Sequence, residues 1–284
     1  MKKMTLSLGQ QSALLSLALF GVFLLVWQLA TLPETATVAA GVDPEYAALM
    51  GGGAASSASS FPTPAQMART VWERLSDPFY DNGPNDKGIG IQLAYSIARV
   101  LAGFFLAAAV AIPLGFVIGN SRVVYQALDP YVQLLKPISP LAWMPLALYT
   151  IKDASASSIF VIFICSLWPM LINTAHGVAN VRRDWLDVSR TLEVNPLRLA
   201  FRVILPAAAP TILTGMRISM GIAWLVIVAA EMLVGGTGIG YFVWNEWNNL
   251  SITNVLFAII MIGVVGMALD SVFGVLSKRV AYQE

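Results

Sequence analysis

The stretch DVSRTLEVNPLRLAFRVILPAAAP, residues 187–210, stands between two of the most apolar runs of the chain. It is short, rich in arginine, and ends on a Leu-Pro pair before the chain turns apolar again. Residues 184–194 hold no helix breaker, which predicts a short helix lying at a membrane surface. Pro196 disfavours helix at the residue before it, so this first helix stops by Asn195. Asn195 is then a suitable N-cap and Pro196 a suitable first residue of a second helix. Residues 203–206, VILP, return the chain to the bilayer, with Pro206 near the first turn of the following span. The expectation is a helix–kink–helix elbow held between two buried helices. The plainer alternative is an ordinary loop whose arginines only mark its side of the membrane.

The runs on either side define the fold class. The chain has 284 residues, 57% hydrophobic and 12% charged, about half the charged fraction of an average soluble domain. No charged side chain occurs in 4–33, 100–121, 154–181 or 247–269. A helix needs roughly 20 mostly apolar residues to cross a bilayer, and in lipid its backbone must be satisfied within its own segment. The runs do not alternate as barrel strands would. Six spans are expected, roughly 11–32, 92–119, 123–150, 155–179, 207–234 and 252–277. The third holds Asp129, Lys136, Pro130, Pro137, Pro140 and Pro145, and the fifth holds Arg217 and Glu231. Helices carrying such residues belong inside a bundle.

Orientation follows from basic residues in the flanking loops. One side carries Lys2, Lys3, Arg122, Arg182, Arg183, Arg190, Arg198, Arg202, Lys278 and Arg279. The other carries only Arg69, Arg74, Lys87 and Lys152. Positive-inside places both termini and the elbow in the cytoplasm, and six crossings agree with that. Lys2-Lys3 before an apolar run also fits a signal peptide, with TVAAG at 37–41 as a cleavage region. The length of the run and Trp27 at its end favour a retained first helix.

Three segments are expected: 1–32 with the first helix, an extracytoplasmic loop at 33–91, and a core permease domain at 92–284 containing the elbow, 180–206. In the loop, Pro64 can open a short helix with Met67, Val71 and Leu75 on one side. SDPFYDNGPNDKGIG, 76–90, is dense in turn formers. Small residues in AGFFLAAAVAIPLG, 102–115, suit close helix packing in lipid. GGTGIGYFVWNEWNN, 235–249, permits a short interfacial or re-entrant segment, with Trp244 and Trp247 as interface anchors. Cys165 is the only cysteine and reads as a packing residue. A net charge of +1 with no basic face points away from nucleic acid.

The elbow resembles the cytoplasmic signature of binding-protein-dependent ABC importer permeases: Glu-Ala-Ala, three residues, Gly, nine residues, Ile, one residue, Leu-Pro. Asp187, Val188 and Ser189 stand for Glu-Ala-Ala, Glu193 for Gly, Val203 for Ile, and Leu205-Pro206 match. Glu193 is the real departure. The resemblance extends over roughly 62–279, through YSIARVLAGFFLAAAVAIPLGFVIG (95–119), KPISPLAWMPLAL (136–148), IFVIFICSLWPMLINTAHGV (159–178) and GMRISMGIAWLVIVAAEMLVGGTGIGYFVWNEWNN (215–249). Within that family the chain is most similar to the nitrate, bicarbonate, sulfonate and taurine branch, nitrate-type members foremost.

The resemblance implies an all-α membrane protein with six transmembrane helices and a coupling-helix elbow between helices 4 and 5, in a bacterial inner membrane. It implies contact with an ATPase through Asp187, Val188, Ser189, Leu192, Glu193, Asn195, Pro196, Val203, Leu205 and Pro206. The implied partners are a second permease copy as a homodimer, two cytoplasmic ATPase subunits that bind ATP and Mg, and an extracytoplasmic substrate-binding protein. This chain is expected to hold no cofactor and to be no enzyme. It has no GxxxxGK[ST] loop, no HExxH and no nucleophile triad.

Arg217 leads the substrate-path candidates. It lies eleven residues past Pro206, roughly 16 Å into a helix, where an ionisable residue is by default functional. A cation there lowers the barrier for a small anion; a structural ion pair is the competing role. Lys136, Trp168, Asn173 and Glu231 complete the set. Glu231 repels an anion unless paired, which favours a structural or gating contact, and Lys136 also fits a snorkelling helix end. His176, the lone histidine, reads as a hydrogen-bonded residue near the inner end of span four. A stand-alone channel or ion-coupled carrier is the rival class, yet no repeat or broken-helix symmetry supports it. An intramembrane enzyme is a third, but His176 has no evident acidic partner.

Overall fold

The computed structural model describes residues 7–31, 61–83 and 86–280. The described residues are helical but for turns and one isolated bridge, Asp81 with Lys87. The helices are α1 Leu8–Ala30, α2 Pro64–Ser76, α3 Ile89–Asn120, α4 Arg122–Leu135, α5 Pro140–Ile151, α6 Ala154–Ala179, α7 Arg183–Thr191, α8 Pro196–Leu199, α9 Leu205–Val234, α10 Ile239–Asn248 and α11 Ile252–Val280, with a π-helical segment Ala200–Ile204 joining α8 to α9. Five are long and apolar enough to cross a membrane, counting Pro196–Val234 as one run of 39 residues.

The third expected span is corrected. Residues 123–150 do not form one helix but α4 and α5, of 14 and 12 residues, each shorter than the roughly 20 a crossing needs. Ser139 precedes Pro140 and is extended at φ −59°, ψ 136°, as a pre-proline residue prefers. Pro140 then opens α5 at its first turn.

Two compact units divide the chain, 1–76 with 246–257, and 77–245 with 258–284. In the first, the side chains of Ser7 and Gln10 form a capping box at the start of α1. No residue of α1 is buried, and its apolar side chains are exposed. The Trp27 indole donates to the Pro62 carbonyl at 3.0 Å, and Phe61 meets Trp27 edge-on. The expected helix at Pro64 is present as α2, with Met67 buried.

The second unit is built on α3, α6 and α9. Val100, Phe104, Ala107 and Ala111 of α3, Ile162 and Met170 of α6, and Ala223 and Ile227 of α9 are all nearly inaccessible, and the three helices pack on one another. Lipid supplies no hydrophobic drive between helices, so close approach must hold them. At Gly115, an added Cβ would come within 2.8 Å of the Leu171 carbonyl of α6. Between α6 and α9, the Ser219 hydroxyl donates to the Ser166 carbonyl at 2.7 Å; bonds of this kind in membranes contribute about 0.6–1.7 kcal/mol. Ahead of α3, the Lys87 ammonium bonds Asp81 at 3.0 Å and holds its carboxyl below the usual carboxylate range.

Candidate functional site

The elbow is helical on both sides of one tight turn. α7 carries Asp184 in its first turn and Arg190 in its last, matching the sign of the helix dipole at each end. It stops at Thr191, earlier than Asn195, through a closed C-terminal turn. The Glu193 amide donates to the Arg190 carbonyl at 3.0 Å, and the Val194 amide to the Ser189 carbonyl at 3.1 Å. This is the Schellman arrangement, which needs a left-handed residue at its centre. Glu193 occupies that place with φ 51°. The resembled signature has glycine there, and the backbone shows why. As expected, Asn195 caps the second helix, accepting from the Leu197 amide at 3.0 Å, and Pro196 begins it.

The elbow has two faces. Val178, Val181, Ile204, Ala208 and Ile212 form a buried cluster against which Leu186, Leu199 and Leu205 pack. Ser189 is buried too, its hydroxyl donating to the Trp185 carbonyl at 2.7 Å. On the other side Val188, Leu192, Leu197 and Phe201 are exposed, Leu192 at 70%. Asp187 pairs with Arg190 at 3.1 Å on that open surface.

The expected kink is the turn around Glu193, and beyond it the chain does not break again before span five. The run Pro196–Val234 is one helix of 39 residues. Pro206 lacks the donor that would reach back into the preceding turn. The π segment accommodates it, and the Leu205 amide bonds the Ala200 carbonyl five residues back. Val203 and Leu205 lie in and just after that segment. One rod therefore carries the elbow's second half, then Arg217, then Glu231, about 21 Å further along at 1.5 Å per residue.

Glu231 ends in a dense buried network. Its carboxylate accepts from the Ser96 hydroxyl at 2.8 and 2.9 Å, from Arg99 Nη1 at 2.8 Å and from the Gly240 amide at 3.0 Å. The Gly238 amide donates to Gln92 Oε1 at 2.6 Å and the Ile239 amide to Ser96 Oγ at 2.9 Å. Arg99 also reaches the Thr237 carbonyl at 2.6 Å and Ser155 at 2.9 Å. Three amides at the start of α10, those of Gly238, Ile239 and Gly240, are thus taken by side chains of α3 and α9, with a carboxylate among them as the helix dipole favours. The glycine-rich turn 235–240 is fixed in place. Gln92, Ser96 and Arg99 escaped the sequence reading. Their signal was spacing: 92, 96 and 99 share one face of α3, and Arg99 is a lone charge beside a long apolar run.

Arg217 has a partner that the sequence reading missed. Its Nε donates to Asp270 Oδ1 at 2.6 Å and its Nη2 to Oδ2 at 2.5 Å. Both side chains stay about half exposed, 47% and 54%. Asp270 is the one acidic residue of α11. The other candidates lie apart. Lys136 caps the end of α4 and lines an open cavity of about 560 Å³ with Asp129 and Gln133. Trp168 is half-buried on α6. Asn173 donates to the Pro169 carbonyl at 2.8 Å and abuts Gly215, two residues from Arg217. His176 is exposed, with the Asn180 amide 3.1 Å from its ring. Trp244 and Trp247 are both well exposed on α10. Among the described residues no group of three or more His, Cys, Asp and Glu could hold a metal ion.

Several helices long and apolar enough to cross a membrane, two of them joined by a helical elbow, fit a membrane transport component. Residues 111–282 match the family described as the binding-protein-dependent transport system inner membrane component, and the chain belongs to it. It is an ABC importer permease subunit. It is 46% identical to the nitrate import permease protein NrtB of Synechocystis sp. over 80% of this chain and 82% of that one. It is 43% identical to the bicarbonate transport system permease protein CmpB of Synechococcus elongatus over 70% and 72%. A solved structure of the MetNI methionine ABC transporter, in an inward-facing conformation, shares the fold with TM-score 0.60 and 14% identity, over 66% of this chain and 94% of that one.

Proposed function

We propose that this chain is the permease of an ATP-driven importer for a small inorganic anion, nitrate or nitrite foremost. The similarity to the nitrate import permease proteins, at 46% and 44% identity, carries the choice of substrate. The open face of the elbow supports docking of an ATPase, which would bind ATP and Mg. Two copies would form the pore, with a binding protein delivering the anion from outside. Both termini and the elbow would lie in the cytoplasm.

The mechanism is alternating access. ATP-driven closure of the ATPases draws two elbows together. The second half of each elbow is continuous with its α9, so movement passed on through the turn at Glu193 reaches Arg217 and Glu231 as the displacement of one body. Hydrolysis releases it. Arg217 offsets the cost of bringing an anion into low dielectric. Glu231, neutralised by Arg99, keeps the outer turn attached to the moving rod.

Bicarbonate is the second reading, favoured by 42% and 43% identity to bicarbonate transport system permease proteins. Uptake of labelled nitrate and labelled bicarbonate by source cells lacking this chain separates them. Restoring the chain should restore nitrate uptake alone. Restored bicarbonate uptake alone would establish the second reading, and restoration of neither would end both.

A further inference from the structure

The Arg217–Asp270 pair is built unlike a structural ion pair. Each partner is about half exposed near the middle of a spanning helix. Lipid cannot be what they face, because a charged group at that depth is costly unless it meets water or protein. The surroundings are open. An added Cβ at Gly221, one turn from Arg217, or at Gly274, one turn from Asp270, would meet nothing within 4 Å. The guanidinium engages the carboxylate edge-on through Nε and Nη2, one nitrogen to each oxygen. That fork suits a planar group whose two oxygens lie in the guanidinium plane. Nitrate, nitrite and bicarbonate present such an edge. Chloride does not.

We propose that Asp270 is an internal stand-in for the transported anion: its carboxylate occupies a planar-oxyanion subsite on Arg217 and is displaced when the substrate arrives. This rests on the anion-import reading above and adds the subsite, its selectivity and its occupant at rest. With Asp270 in place, the empty pathway carries no net charge at this depth. An incoming oxyanion replaces the carboxylate on the same two donors, so Arg217 is never without a partner. Weak binding at the subsite follows, as passage through a pathway requires. The Asp270 carboxylate then repels the bound anion and assists its release.

The test is calorimetric binding to the complete permease–ATPase complex purified in detergent, with nitrate, bicarbonate and chloride as separate probes. Asp270→Asn should tighten nitrate at least tenfold and leave chloride within twofold. Arg217→Gln should abolish nitrate binding. Tightening for bicarbonate but not nitrate upholds the subsite and sinks the nitrate reading. No change for either planar anion, or equal tightening for chloride, overturns the subsite. Arg217→Lys provides a second variant that keeps the charge pair. It should lower the nitrate-over-chloride preference of uptake in liposomes severalfold, and an unchanged preference would overturn the proposal even if Asp270→Asn fails to assemble.

Discussion

Val194 donates its amide to the Ser189 carbonyl at 3.1 Å, closing the elbow around Glu193, whose backbone is left-handed at φ 51°. A side chain in this conformation costs about 1 kcal/mol relative to glycine. Glu193→Gly should therefore raise the thermal midpoint of the purified complex while leaving the bound ATPase unchanged. Loss of the ATPase on this substitution would mean that the Glu193 side chain itself makes the contact.

Leu192 is 70% exposed at the end of α7. Surface substitutions of this kind usually change stability by less than about 0.5 kcal/mol. Leu192→Asp should leave the amount of inserted protein unaltered and sharply reduce the ATPase that purifies with it. Full retention of the ATPase would remove the apolar face from the docking account.

Arg99 and Glu231 are joined at 2.8 Å, with 14% and 1% of their side chains exposed. Breaking a buried pair from one side costs about 3–5 kcal/mol, because the remaining charge is left alone. Arg99→Ala should cut the yield of assembled protein severely. The double variant Arg99→Ala with Glu231→Ala should recover part of it. Additive losses would show that the two side chains act separately.

Gly240 lies against the Val228 carbonyl of α9, where an added Cβ would collide with backbone and not with a movable side chain. Gly240→Ala should displace the start of α10. Protease accessibility of the turn 235–240 should rise, and an unchanged digestion pattern would contradict the packing described.

Much of this was legible in the sequence. Long uncharged runs declared four of the spans, and Asn195-Pro196 declared the second elbow helix. The third span was misread because apolar stretches lie on both sides of 136–139, yet Ser139-Pro140 ends one helix there and opens another. Pro206 stands in the first turn of span five as its position suggests, but nothing in the sequence announces the π turn that joins this span to the second elbow helix without a break. The partners of the named charges were out of reach for a different reason. Glu231 bonds Arg99 across 132 residues and Arg217 bonds Asp270 across 53. Lone charges in apolar runs announce that a partner exists, but only the packing of α3, α9 and α11 says which one.

Purification of the tagged chain from its native membrane, with its companions identified by mass, tests the central claim most directly. The account predicts an ATPase in equal amount to this chain, lost when Asp187→Arg reverses the charge on the open face of the elbow. An assembly of this chain with no ATPase, unaltered by Asp187→Arg, would contradict it and leave the elbow an ordinary loop.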